Sequence, residues 1–110
     1  MTGTELIAKE RQRQIEVEGW SAKHDDETHD AGGLALAGAC YALDVINQIG
    51  DAYSVYPSLK RQLKAFPKAA WPWDRDWWKP TPKDPVRQLV KAGALIAAEI
   101  DKLQRQGSSK

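Results

Sequence analysis

Two stretches of the chain hold most of the side chains that could do chemistry. Residues 24–30, HDDETHD, place two imidazoles and four carboxylates in seven positions, all of them types that bind Zn, Mn or Mg. On a helix, Asp25 and His29 would share a face at four-residue spacing, as would Asp26 and Asp30. A metal site here would therefore draw on His24, Asp25 and His29. The arrangement lacks the marks of the common metalloenzymes. The histidines stand five apart rather than four, no paired cysteines accompany them, and no upstream histidine supplies the further ligand of an HD-type phosphohydrolase. Structural roles compete: Asp30 could cap the following helix, Asp25 or Asp26 could bond loop amides, and His24 could pack on Trp20. Those roles, or hydrogen bonding to a ligand, are the favoured reading, and neither a metal nor a cofactor is required.

The second stretch, residues 71–80, WPWDRDWWKP, contains four of the five tryptophans. Indoles in such density make a local core or an aromatic ligand surface. Lys60, Arg61, Lys64, Lys68, Arg75 and Lys79 flank them, a combination similar to a base-stacking platform with basic edges. The formal net charge of only +1 argues against avid binding of long nucleic acid. A small anion carrying a base needs one or two rings and two or three cations, which the chain can supply. The tryptophans could equally cover the helices in place of a further helix. With prolines fixing the segment, at most one or two of Trp71, Trp73, Trp77 and Trp78 are expected to reach a ligand.

Other chemistries find little support. No GxSxG turn is present, Cys40 lies in an apolar run, and Ser21, Ser54 and Ser58 have no adjacent acid–base partner. Phosphate-cradling GxGxxG and GxxxxGKS loops are missing, with Gly32-Gly33 before a helix only a weak imitation. The paired ExxE and ExxD carboxylates of all-helical pyrophosphohydrolases are absent, since Lys102 stands three residues after Glu99.

The elements that must position these groups are helical. Thr4 can cap a helix over residues 5–18 that Gly19 ends. Its apolar face is thin, and Glu10, Arg11, Gln14 and Glu18 form one polar stripe that could face a site. Residues 19–33 carry both histidines and read as an ordered loop or turn. Residues 34–49 form a helix with small residues on its surface, residues 51–56 a loop, and Pro57 or Ser58 opens a short basic helix ending at Pro67. Five prolines between residues 67 and 85 exclude regular helix or central strand there. Asp84 and Pro85 then start the strongest helix, where Val86, Leu89, Val90, Gly93, Ile96, Ala97, Ile100 and Leu103 keep a clean helical period. The expected fold is all-α: a small single-domain bundle of three main helices plus a short one, wrapped by the Pro/Trp-rich segment. Residues 1–106 would form the domain and 107–110 a disordered tail.

At 110 residues the chain can close one core without disulfides or metals. A single cysteine, a thin N-terminal apolar content and no long apolar run indicate a cytoplasmic protein that neither enters nor crosses a membrane. Charge is uneven: residues 1–30 sum to −4 and residues 51–91 to +5. Mutual neutralisation across the fold is the simplest consequence. The Ala-rich surface of residues 34–42 could also pair between subunits in a homo-oligomer.

ERQRQIEVEGW (10–20), HDDETHD (24–30), ALAGACYA (35–42), WPWDRDWWKP (71–80) and LVKAGALIAAEIDKL (89–103) together resemble a family of short uncharacterised proteins encoded by phages and prophages. A fainter similarity, Gly19-Trp20 after a first helix and a Pro-rich segment before a later one, is to bacterial ryanodine-receptor-type repeat domains. The phage resemblance implies no established activity, but it implies action in the host-cell cytoplasm by sequestering or occluding a host molecule. The leading expectation is a non-catalytic binder of a nucleotide or nucleotide-derived signal, with sequestration of a host defence signal as its effect. Arg11 and Arg13, or Lys79, Arg87 and Lys91, would take phosphate. One or two of Trp20, Trp73, Trp77 and Trp78 would stack on the base, and His24, Asp25 and Asp26 would read polar edges or ribose hydroxyls. The rivals are a metal-dependent nucleotide phosphohydrolase using residues 24–30 and an interaction module docking a host factor through the tryptophan patch.

Overall fold

A computed structural model describes residues 1–21, 23, 32–49 and 52–107. Among them the fold is all-α, with no strand. The order is α1 (Gly3–Glu16), α2 (Gly33–Ile46), the one-turn α3 (Ala52–Val55), a 3-10 turn (Pro57–Leu59), α4 (Lys60–Ala69), a second 3-10 turn (Arg75–Trp77) and α5 (Pro85–Gly107). No helix among the described residues is long and apolar enough to cross a membrane. The expected metal cluster lies outside the described residues; of the expected tail 107–110, Gly107 is the last residue of α5 and residues 108–110 lie outside the described residues.

α1 starts two residues earlier than the Thr4 cap predicts, because Thr2 and Glu5 close a reciprocal capping box. The Glu5 amide donates to Thr2 Oγ1 at 3.2 Å, and the Thr2 amide donates to Glu5 Oε1 at 3.0 Å. Gly19 adopts φ of +72° after the helix, where a side chain would be strained. At the other end of the chain, the Arg87 amide donates to Asp84 Oδ1 at 2.9 Å, so Asp84 caps α5 with Pro85 in its first turn.

Residues 51–56, read as a loop, include the single turn α3, and α4 does not stop at Pro67. A proline inside a helix leaves the carbonyl four residues back without its donor. Here that carbonyl belongs to Leu63, and Asn47 Nδ2 donates to it at 3.3 Å. The side-chain donor just after α2 thus replaces the bond Pro67 cannot make, and the buried ring fills the α2–α4 junction.

α5 packs most extensively on α2, and α1 lies along another side of α5. The core is Leu34, Ala37, Cys40 and Tyr41 from α2 with Ala92, Ala94, Leu95 and Ala98 from α5. Gly38 sets the spacing: a Cβ there would stand 3.0 Å from the Ala92 carbonyl oxygen. The small-residue face expected to pair between subunits is therefore spent inside the chain. A second departure concerns α5. Of its expected apolar face Val90 is buried, but Val86, Leu89, Ile96, Ile100 and Leu103 are exposed, while Leu95 joins Gln88, Glu99 and Lys102 on the buried side.

Gln88 is buried without penalty because its amide is saturated. Nε2 donates to the Tyr41 carbonyl and to Asp44 Oδ2, each at 2.9 Å, and Oε1 accepts from the Thr81 amide and Gln48 Nε2, each at 2.8 Å. One side chain thereby ties α2, α5 and the end of the tryptophan segment together.

Candidate functional site

The tryptophan segment turns most of its rings inward. Trp78 stacks on Tyr41 at 4.9 Å between centroids, and Trp71 meets Tyr41, Trp73 and Trp78 edge-on at 5.0–5.3 Å. Trp71 Nε1 donates to the Asp74 carbonyl at 3.1 Å, which satisfies its polar handle. Trp73 contacts Trp20 edge-on at 6.0 Å. Trp77 alone of the segment's four tryptophans is mostly on the surface, 51% exposed, with its ring 6.4 Å from that of Trp20.

Trp20, Trp77 and Tyr41 form the aromatic side of a half-open cavity of about 140 Å³ between α1, α5 and the tryptophan segment. The polar side comes from α1 and α5. Glu10 and Gln14, one turn apart, are both 3% exposed, and Glu18 follows at the rim. Arg87 and Lys91, also one turn apart, face them from α5, and Lys79 closes the edge. Arg13, Lys79, Arg87 and Lys91 against Glu10 and Glu18 give the lining a formal charge of +2.

Glu10 fixes the arginines. Its Oε1 accepts from Arg13 Nε at 2.8 Å and Arg87 Nη1 at 2.7 Å, and its Oε2 from Arg13 Nη2 at 2.8 Å. Burial works against the carboxylate's charge, but the hydrogen bonds from Arg13 and Arg87 outweigh it and hold its pKa below the usual value. Arg13 Nη2 also donates to Glu18 at 3.1 Å. This cluster joins the acidic N-terminal part of the chain to the basic later part through the Glu10–Arg87 pair, which is the neutralisation expected from the charge distribution.

The other cations are held by the tryptophan segment. Lys91 Nζ donates to the Lys79 carbonyl at 2.6 Å and lies 5.1 Å from the Tyr41 ring centroid. Its pKa is lowered, by burial first and by the Arg87 charge second. Lys79 Nζ sits 5.6 Å from the centre of the Trp77 ring. Tyr41 Oη donates to the Trp77 carbonyl at 3.3 Å and accepts from the Lys79 amide at 3.0 Å. Gln14 Oε1 is buried and has no hydrogen-bond partner among the described residues. A buried amide oxygen in that state calls for a donor.

Of the expected ligand residues, Arg13, Trp20, Trp77, Lys79, Arg87 and Lys91 line this cavity. Arg11 does not: Nη1 donates to the Trp20 carbonyl at 3.2 Å, and Nε lies 3.7 Å from Asp101, so the group braces α1 against the chain beyond it and α5. Trp73 and Trp78 pack against the core instead, because Tyr41 and Trp71 present apolar rings to them. His24, Asp25, Asp26 and His29 lie outside the described residues. Glu10, Gln14 and Glu18 were marked in the sequence only as a stripe, and Tyr41 was hidden in an apolar helix. Comparison of the chain with family models, curated proteins and solved structures finds no match.

Proposed function

We propose that the protein is a non-catalytic binder of a small anion bearing a planar ring, a nucleotide or nucleotide-derived signal, held in the cavity between α1, α5 and the tryptophan segment. The observation that carries this reading is the joint lining: four cations and three aromatic rings converge on one cavity, with the buried Gln14 side chain between them. Its volume suits one ring system, since a cavity of roughly 150 Å³ accepts benzene. The base would lie against Trp20 and Trp77, and one of its N–H groups would meet Gln14. Phosphate would lie over Arg13 and Arg87, which also line an adjoining cavity of about 400 Å³. Arg87 and Lys91 supply the charge-assisted hydrogen bonds such a group needs.

Sequestration of a host defence nucleotide in the host-cell cytoplasm, as the resemblance to phage-encoded proteins implies, is the biological role this reading fits. The test is thermal shift with AMP, GMP, cyclic AMP and cyclic dinucleotides, with adenosine and guanosine as uncharged controls. A shift for a nucleotide that its nucleoside does not reproduce, lost in Lys91→Ala, is expected. Equal shifts for nucleoside and nucleotide, or none across the panel, would remove the anion site from the argument.

A further inference from the structure

Five large apolar side chains of α5 are left partly exposed, although Val90 and Leu95 are buried and Ile96 leans on Gly38 of α2. Val86, Leu89, Ile96, Ile100 and Leu103 are between 41% and 61% exposed, while the face turned to α2 is built from Gln88, Ala92, Leu95, Glu99 and Lys102. A helix normally buries its larger apolar residues and leaves its charges in water. Position 93, the gap in the stripe, is filled from outside the helix: Ile7 of α1 lies over Gly93, with Cδ1 only 2.5 Å from where a Cβ would stand. Residues 86, 89, 93, 96, 100 and 103 are thus one continuous apolar seam with intervals of three, four, three, four and three. That alternation is the spacing of a helix that pairs with another helix along its length.

We infer that this seam is a self-association surface, and that two copies of the chain pair through antiparallel α5 helices about a two-fold axis. The intervals read the same in both directions. An antiparallel partner therefore sets Val86 against Leu103, Leu89 against Ile100, and the Ile7-covered position 93 against Ile96, at every step and in both halves. A two-fold interface requires this kind of self-complementarity. The antiparallel arrangement also opposes the two helix dipoles. The stripe with Leu36 of α2 beside it exposes roughly 500 Å² of surface per subunit, so full coverage would bury about 1,000 Å² in a pair, the size of a weak, reversible association. No charged residue occupies the seam, and the cations near its Val86 end, Lys9, Arg13 and Arg87, are accompanied by Glu10 and Asp84. Lys91 lines the proposed nucleotide cavity on another side of α5, while Arg87 also lines the adjoining cavity beside Val86, so pairing and ligand binding meet only at the N-terminal end of the seam.

The test is sedimentation equilibrium of the full chain over a micromolar concentration series, beside the double variant Ile100→Glu, Leu103→Glu. The expected result is a mass that approaches twice that of the chain as concentration rises. In the variant the dissociation constant should rise by about 100-fold or more, with helicity and melting temperature of the monomer kept because both side chains are exposed. Orientation is read by cysteine pairing. Leu89→Cys combined with Ile100→Cys should give a disulfide-linked dimer, and Leu89→Cys alone should not, since antiparallel pairing holds the two copies of residue 89 apart. A monomeric mass throughout the series, a dimer indifferent to the glutamates, or efficient linking by Leu89→Cys alone would each overturn the proposal. So would monomeric protein that binds anionic vesicles through the stripe. Retained nucleotide binding in the glutamate variant would keep this outcome separate from that of the ligand site.

Discussion

Replacing Glu10 by glutamine separates the two tasks of the buried carboxylate. Glu10 receives three hydrogen bonds of 2.7–2.8 Å from Arg13 and Arg87. A carboxamide keeps the shape, but one of its two terminal atoms becomes a donor facing a guanidinium donor, and the charge is lost. A hydrogen bond to a charged group contributes about 1.5–3 kcal/mol. Both arginine side chains are 37% exposed, so water recovers part of what is lost, and the net destabilisation comes to about 2 kcal/mol. For a domain of this size that lowers Tm by about 10 °C. The same change takes the cavity lining from a formal +2 to +3. One charge at roughly 7 Å with an effective dielectric of about 20 contributes about 2 kcal/mol, and looser arginines return some of it, so AMP should bind about tenfold more tightly. Calorimetry with AMP and thermal melting of both proteins check the pair of effects. Because the folded pKa of Glu10 is depressed, its contribution to stability is present above the unfolded value and lost as pH falls through the folded one. The wild-type advantage in Tm should therefore shrink in acid. Unchanged stability at neutral pH, or AMP affinity falling together with stability, would show that Glu10 neither clamps the two arginines nor offsets their charge at the cavity.

Two further outcomes follow from the packing. Gln88→Leu leaves the Thr81 amide and one side of Asp44 without their buried partner, and urea unfolding should show a loss of about 3 kcal/mol. The glycines at the helix contacts should behave differently from each other. Gly38→Ala drives a Cβ against the Ala92 carbonyl and should cost about 1–3 kcal/mol. Gly93→Ala brings a Cβ to 2.5 Å from Cδ1 and 2.9 Å from Cγ1 of Ile7, a side chain rather than backbone, so Ile7 must turn about χ1 off α5. The gain in helix propensity of about 1 kcal/mol should offset part of that, and the net loss by the same measurement should be smaller than for Gly38→Ala.

Helix type and order were legible in the sequence because capping residues, glycines and apolar spacing act locally. Asp84-Pro85 and Gly19 mark their ends by backbone chemistry alone. The course of α4 through Pro67 was not, since its continuation depends on Asn47, twenty positions earlier in the chain, supplying a donor to Leu63. The orientation of α5 was not legible either. Periodicity identifies an apolar face but is silent on whether that face meets the chain's own core, and α2 offers Ala37 and Gly38, against which the smaller residues of α5 approach more closely. At the site, the cations could be named from composition. The division of the tryptophans into packed and surface rings depends on Tyr41, which no local pattern distinguishes.

Tyr41 also explains why the cavity walls stay in place although the segment carrying Trp77 and Lys79 has almost no regular structure. Its hydroxyl holds the Trp77 carbonyl and the Lys79 amide, and Lys91 holds the Lys79 carbonyl. Gln88 holds the Thr81 amide two residues later. Bonds from α2 and α5 thus grip the backbone at residues 77, 79 and 81, alternate positions of a segment whose prolines 80 and 82 already restrict φ. The entropy of ordering this stretch is lost on folding rather than on binding. A ligand that enters meets rings and cations already fixed by the packing of the two long helices, so substitutions in the α2–α5 contact should reach the cavity through the segment they anchor.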